Sequence, residues 1–332
     1  MSDALPFGLS HVDPALAERL RAGLDDVENA LQKAVTSDYP FVTQASSHLV
    51  NAGGKRFRPL LALVASQYGD TDAEGNVPGA VIVELTHLAT LYHDDVMDEA
   101  PLRRGAPSAN ARWDNTIAIL TGDFLFARAA DIAADLGPEI VRLLARTFER
   151  LCTGQILETV GPAEGEDAVT HHLDVLGGKT GSLIAAAGRI GAMTSGAPDG
   201  VADAIAAYGE KFGVAFQLSD DILDIASESE ASGKTPGTDL REGVRTLPML
   251  LALRSTDGDG TRLRELLAGP LVDDDLHSEA LTLLRASPAM AEARAEVVRW
   301  AESARAELVV LEPGPVTEAL SQMCDVVVDR AT

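Results

Sequence analysis

Residues 80–98 read AVIVELTHLATLYHDDVMD, and the reading of this stretch decides how the rest of the chain is understood. From Val81 to Tyr92 it is strongly apolar, and it reads as one helix that closes on the pattern D-D-x-x-D at Asp94, Asp95 and Asp98. Residues four apart share a face of a helix, so Asp94 and Asp98 aim two carboxylates at a common point. Like charges at that spacing cost a few tenths of a kcal/mol, and partly burying them costs more unless a cation is present. A hard divalent ion removes the penalty, and Mg²⁺ prefers a few carboxylates together with waters and phosphate oxygens. A solvated acidic helix end is the plainer reading of one such motif. A second copy weakens it: Asp220-Asp221-Ile222-Leu223-Asp224 closes another apolar helix, running from Ile205 to Leu218. Six carboxylates in two symmetric sets also exceed what general acid–base chemistry requires.

Outward from these two helices the signatures are helical throughout. Asp13-Pro14 is an N-cap followed by proline at the first helical position, and Leu16, Leu20, Leu24, Val27 and Leu31 keep helical spacing. Gly53-Gly54 ends the next helix, and Pro59 opens another. Further helices are predicted over 115–135, 138–160, 181–195, 200–227, 246–254, 262–268, 277–285, 288–310 and 315–330. Period-2 strand patterns are missing, and Val326-Val327-Val328 sits inside helical periodicity. With no low-complexity linker, composition shift or internal repeat, the expectation is an all-α fold in a single domain over 1–332.

Composition agrees. Of 332 residues, 46% are hydrophobic and only 4% aromatic, a balance that suits close-packed helices. The net charge of −24 repels nucleic acid and anionic lipid, so an anionic substrate must be met by a local basic cluster or by bridging metal ions. Two cysteines, Cys152 and Cys324, have no paired or metal-ligand spacing, which points to a reducing cytoplasm. The opening residues lack the basic and apolar regions of a secretion signal, and no apolar run reaches the roughly 20 residues that span a bilayer.

Basic clusters do stand where an anion would need them. Gly53-Gly54-Lys55-Arg56-Phe57-Arg58-Pro59 concentrates three cations in a glycine-hinged turn before a helix. Arg103-Arg104 follows the first aspartate cluster by a short loop, and guanidinium forks match phosphate oxygens. Gly178-Lys179-Thr180 and Gly233-Lys234-Thr235 invite comparison with a P-loop, but the glycine required five residues earlier is Leu173 or Glu228. No zinc-ligand spacing appears.

Taken in order, GGKRFRP, HLATLYHDDVMDEAPLRRG, GDFLFARA, GQILE, GGKTGSL, FQLSDDILD and GKTPGTDLREG, from Gly53 to Asp239, resemble the trans-isoprenyl diphosphate synthase (polyprenyl synthetase) family. The resemblance implies a large helical bundle around a central cavity, working as a homodimer. It also implies condensation of an allylic diphosphate with isopentenyl diphosphate, head to tail, and Mg²⁺ as cofactor, three ions bound with the substrate diphosphate. By motif, Asp94, Asp98 and Asp220 would bind metal, supported by Asp95, Asp221 and Asp224. Arg103, Lys179 and Lys234 would hold the allylic diphosphate, and Lys55, Arg58, His87 and Arg104 the isopentenyl diphosphate. Thr180 and Gln217 would line the reacting centre. In the family, bulky aromatics four or five residues before the first aspartate stop the product short. Here those positions are Thr90 and Ala89, so a medium- or long-chain all-trans product is expected. The alternatives are a short-chain geranylgeranyl diphosphate synthase, a non-catalytic partner subunit of a heteromeric synthase, a class I terpene cyclase, and a structural metal-binding bundle.

Overall fold

The computed structural model describes residues 5–9, 12–227, 236–255 and 260–331. After a short turn of 3₁₀-helix the chain runs α1 (Pro14–Ala34), α2 (Pro40–Ser46), α3 (His48–Asn51), α4 (Phe57–Ser66) and α5 (Asn76–Met97). A hairpin of two-residue strands, β1 (Leu102–Arg103) and β2 (Ala106–Pro107), leads to α6 (Ala109–Arg112), α7 (Asn115–Leu136), α8 (Pro138–Val160) and α9 (Ala168–Leu176). A π-helical turn over Gly177–Gly181 follows, then α10 (Ser182–Thr194) and α11 (Asp199–Ala226). Beyond them come α12 (Thr238–Glu242), α13 (Leu247–Arg254), α14 (Thr261–Leu266), α15 (Asp274–Ala286), α16 (Pro288–Glu307) and α17 (Pro315–Ala331). The fold class is all-α, as expected. No helix among the described residues is long and apolar enough to cross a membrane.

Local chemistry explains several boundaries. Asp13 accepts from the amides of Ala15 and Leu16, with Pro14 at the first position of α1. Asp114 and Asp167 cap α7 and α9 in the same way, through Ile117 and Thr170. The hairpin was invisible to periodicity because two residues cannot show an alternation. Its turn is Arg104-Gly105, both at positive φ (54° and 77°), as the favoured two-residue hairpin turns require.

The chain divides into two compact units, each discontinuous in sequence. One comprises Met1–Glu149, Leu183–Gly209 and Glu307–Gln322; the other comprises Arg150–Ser182, Glu210–Ala306 and Met323–Thr332. In the first, α5 packs along α7 and is buried nearly all round, through Val81, Ile82, Val83, Leu85, Leu88, Ala89 and Tyr92. Tyr92 is fully buried and its hydroxyl donates to Ala45 O at 2.6 Å while accepting from Leu49 N at 3.2 Å, tying α5 to α2 and α3. In the second, α16 buries Ala289, Ala293, Val297 and Ala301 at four-residue intervals.

Replacing Tyr92 with Phe keeps the ring but leaves the Leu49 amide and the Ala45 carbonyl without this partner. Chemical denaturation of Tyr92→Phe is expected to show a loss of about 1–3 kcal/mol.

Candidate active site

The first unit carries the GGKRFRP turn and the first aspartate cluster. Gly53 and Gly54 both lie at positive φ, 85° and 153°. A Cβ on Gly54 would sit 2.9 Å from the Arg104 Cζ, so glycine here admits the guanidinium against the backbone. Arg104 donates from Nη1 to Leu49 O at 3.1 Å and also to Gly53 O, which fixes it beside the turn. Of the three cations in the turn, Arg56 faces inward. It pairs with Glu28 at 2.8 Å and with the buried Glu84 at 3.0 Å, and donates to Val50 O at 3.1 Å. Lys55 is exposed.

Arg58 is different. Its Nε is buried and makes no hydrogen bond, although a buried guanidinium donor ordinarily has one. Burial pushes Arg58 down to about 10, Arg104 adds to that, and Glu84 opposes it. His87 is held well below the ordinary imidazole range, first by burial and then by the charges of Arg58, Arg104, Arg103 and Arg56. A chain of net charge −24 thus concentrates positive charge around one neutral imidazole, with an unsatisfied donor among the cations. Such a cluster suits an anion with several oxygens.

Two turns beyond His87, the aspartates separate by role. Asp94 is half-buried and Asp98 is exposed at the C-cap of α5, where the helix dipole favours a cation. Asp95 is fully buried. Arg103 Nε donates to its Oδ1 at 2.6 Å, and its Oδ2 is buried without a hydrogen-bond partner. Burial pushes the Asp95 carboxyl up and Arg103 pulls it back. Ala89 is fully buried, whereas Thr90 is half-buried and its hydroxyl donates to His87 O at 2.8 Å. Three of the four non-glycine residues at positive φ among those described, Arg56, Glu99 and Arg104, lie around this region.

The second unit carries GGKTG on the π-helical turn, a form of helix that recurs at functional sites. Arg150, Gly154 and Glu158 fall on one face of α8 at four-residue spacing, and together they support the turn. A Cβ on Gly154 would lie 2.9 Å from Lys179 N, so the two backbones meet there. Arg150 pairs with Glu210 on α11 (Nη1 to Oε2, 2.9 Å), and Glu158 pairs with Lys179 Nζ. The Thr180 hydroxyl donates to Gln217 Oε1 at 3.3 Å, and Gln217 Nε2 donates to Asp221 Oδ1 at 3.2 Å. Asp220 pairs with Arg330 near the end of α17, while Asp224 accepts from the amides of Thr238 and Asp239, both at 3.2 Å. Asp224 therefore anchors the start of α12. Lys234 lies outside the described residues.

The carboxylate oxygens of Asp94 and Asp98 in the first unit, and those of Asp220 in the second, are each the kind of donor that a hard divalent cation takes. Among the described residues no three His, Cys, Asp or Glu side chains form a ready-made cage. Magnesium ordinarily completes its shell with water and substrate phosphate rather than with such a cage. The sequence profile of the polyprenyl synthetase family matches residues 39–284. The chain belongs to that family. It is 50% identical to the nonaprenyl diphosphate synthase of Mycobacterium tuberculosis over 97% of each chain. Among solved structures it resembles the geranylgeranyl pyrophosphate synthase of Corynebacterium glutamicum complexed with calcium and isoprenyl diphosphate. The TM-score is 0.87 and the identity 46%, over 96% of this chain and 98% of that one. A decaprenyl diphosphate synthase of Rhodobacter capsulatus gives a TM-score of 0.85 at 32% identity, over 96% of this chain and 99% of that one.

Sequence reasoning about this polyprenyl synthetase missed Glu84, Arg150, Glu158, Glu210, His172 and Arg330, which touch the expected site residues or their neighbours. Glu84 could have been found, as the one acid within the apolar run 80–92. The others are distant in sequence from the groups they meet.

The depressed His87 sets a pH dependence. Unfolded histidine titrates near about 6.5, so below that pH the unfolded chain takes up a proton that folded His87 refuses. Stability therefore falls as pH drops below that value, and above it His87 contributes no slope. Denaturant midpoints at pH 7.5 and 5.0 are expected to differ less in His87→Gln than in the wild type.

Proposed function

We propose that this polyprenyl synthetase is a magnesium-dependent prenyltransferase that condenses an allylic diphosphate with isopentenyl diphosphate, releasing diphosphate and giving a medium- or long-chain all-trans polyprenyl diphosphate. The observation that carries this reading is the pairing on α5 of an anion cluster at His87 with carboxylates two turns later at Asp94 and Asp98. A catalyst that only ionises one diphosphate needs the carboxylates alone. The additional cluster of Arg58, His87 and Arg104, with Lys55 at its edge, gives a second diphosphate its own place. A partner subunit without catalysis would not need both sets of aspartates.

In this reading Asp94, Asp98 and Asp220 hold the divalent ions, probed most directly by their removal. When bound, those ions neutralise the charge of the departing diphosphate. Lys179, with Arg103 and Lys234, orients the allylic diphosphate, and Arg58 and Arg104 fix the isopentenyl diphosphate. The allylic C–O bond breaks, and the isopentenyl double bond attacks the resulting carbocation. The surplus proton then leaves with the released diphosphate. Fixing both partners contributes roughly 7–11 kcal/mol through entropy that need not be lost at the transition state. The Thr180 hydroxyl and Gln217 carbonyl oxygens face the cation with lone pairs.

We further propose a homodimer of the reducing cytoplasm. Exposed Ile119 and Leu120 on α7 favour self-association, and Cys152 and Cys324 are free thiols. A second reading, a geranylgeranyl-length product, is favoured by the likeness to the Corynebacterium glutamicum synthase.

Purified protein given labelled isopentenyl diphosphate, an allylic starter and Mg²⁺ is expected to form polyprenyl diphosphates longer than twenty carbons on chromatography. EDTA should abolish turnover, and Asp94→Ala or Asp220→Ala should lower it by about a thousandfold. Near-normal rates in either variant contradict the metal assignment. Ala89→Phe should shorten the product; an unchanged product in a folded variant refutes the chain-length assignment.

A further inference from the structure

The geometry points to a positioning chain that ends on Gln217: His172 holds Asp221, and Asp221 holds the Gln217 amide with its carbonyl oxygen turned toward Thr180. Gln217 and Asp221 are four residues apart on α11, so the amide can reach the carboxylate within one helix. An amide side chain can present either end, and its neighbours decide which. A carboxylate accepts and does not donate, so it takes the Gln217 Nε2 at 3.2 Å. The oxygen is left for the other side, where the Thr180 hydroxyl donates to it at 3.3 Å.

Asp221 itself needs holding. It is 7% exposed, and its second oxygen, Oδ2, is buried without a hydrogen-bond partner. His172, on α9, has its Nε2 3.4 Å from that oxygen, and this nitrogen is likewise buried and unbonded. Two buried polar atoms of complementary character each carry a desolvation cost that contact between them removes. At 3.4 Å the two atoms are within ion-pair reach of one another. His172 is then a positioning residue acting through Asp221, whose Oδ1 takes the Gln217 amide and whose Oδ2 faces His172 Nε2. The second aspartate pair accordingly divides in role, with Asp220 assigned to metal in the reading above and Asp221 committed to the amide.

The consequence rests on the prenyltransferase reading above. With the amide as found, the negative end of its dipole faces the developing carbocation. A flipped amide would present N–H instead and oppose that charge. The loss falls on the chemical step and not on substrate capture, which a histidine that merely fills space would not produce.

The test is steady-state kinetics on His172→Phe, His172→Gln, Gln217→Leu and the double variant His172→Phe/Gln217→Leu. His172→Phe is expected to lower kcat about tenfold or more, with KM for both diphosphates close to wild type. His172→Gln, which restores an N–H at similar reach, should recover most of that loss. The double variant should be no slower than Gln217→Leu alone, because the two act in series. Calorimetric titration with Mg²⁺ and inorganic diphosphate supplies a readout independent of turnover. Binding should be unchanged in His172→Phe and in Asp221→Asn, while Asp221→Asn lowers kcat. Weakened Mg²⁺–diphosphate binding in Asp221→Asn would make Asp221 a ligand and overturn the assignment. Losses that multiply in the double variant, or an unchanged kcat in a folded His172→Phe, overturn it equally. If His172→Phe does not fold, His172→Gln and Asp221→Asn decide alone, through the same kcat and binding measurements. Wild-type protein that turns over no allylic starter defeats the prenyltransferase reading, and the catalytic role of the chain falls with it. Intact wild-type turnover with failed coupling defeats only the positioning chain.

Discussion

A carboxylate sealed inside a helix core makes the basic side of this protein possible. Glu84 is 2% exposed and sits in α5, a helix buried nearly all round, where an unpaired charge would be prohibitive. Its pairing with Arg56 at 3.0 Å answers that cost. The same negative charge offsets the burial of Arg58 and Arg104. Removing it would leave Arg56, Arg58 and Arg104 balanced by the more exposed Glu28 and by Asp95, which already pairs with Arg103. An electropositive cluster in a protein of charge −24 is therefore an internal arrangement, built around one buried acid.

The two units show the same logic applied to shape. At Gly54 the absence of a side chain lets Arg104 lie on the backbone of the turn. At Gly154 it lets α8 touch the π-helical turn that presents Lys179 and Thr180. Positions that must hold reactive groups within a fraction of an ångström are fixed by close backbone approach and by ion pairs behind them, such as Arg150 with Glu210. A site built in this way is preorganised before any substrate arrives.

How much of this was legible in the sequence follows from how local each feature is. The aspartate-bearing helices and α1, α7, α8, α16 and α17 declare themselves by period and caps, because both signals lie within a few residues. The two-residue hairpin carries no period at all, and α9 with its π-helical turn is hidden by the glycines of GGKTG. Site residues were readable where the chemistry is carried by type and spacing, as with Asp94 and Asp98. Partners were not readable where they join across the fold: Arg330 reaches Asp220 from 110 positions away. Nor did spacing reveal that Arg56 turns inward while Arg58, two residues on, keeps an unbonded nitrogen. That difference depends on the left-handed backbone of Arg56, at φ 48°.

The ion pairs around the site also differ in how readily they can be exchanged. Lys179 with Glu158 and Asp220 with Arg330 are each a quarter to two-fifths exposed on both sides (28%/38% and 25%/38%). Pairs so exposed contribute little, on the order of 0–1 kcal/mol, so under the proposed function exchanging Glu158 for a diphosphate or Arg330 for a metal ion would cost little. Arg103 with Asp95 is of another kind, because Asp95 is fully buried and would be left as an uncompensated carboxylate. Stranding such a charge costs about 3–5 kcal/mol. If Arg103 holds the allylic diphosphate as proposed, the balance favours Nε staying on the carboxylate and the two Nη groups being the ones offered to the anion. One guanidinium can then pin the buried aspartate and hold phosphate at once, which a lysine at the same position could not do with a single nitrogen.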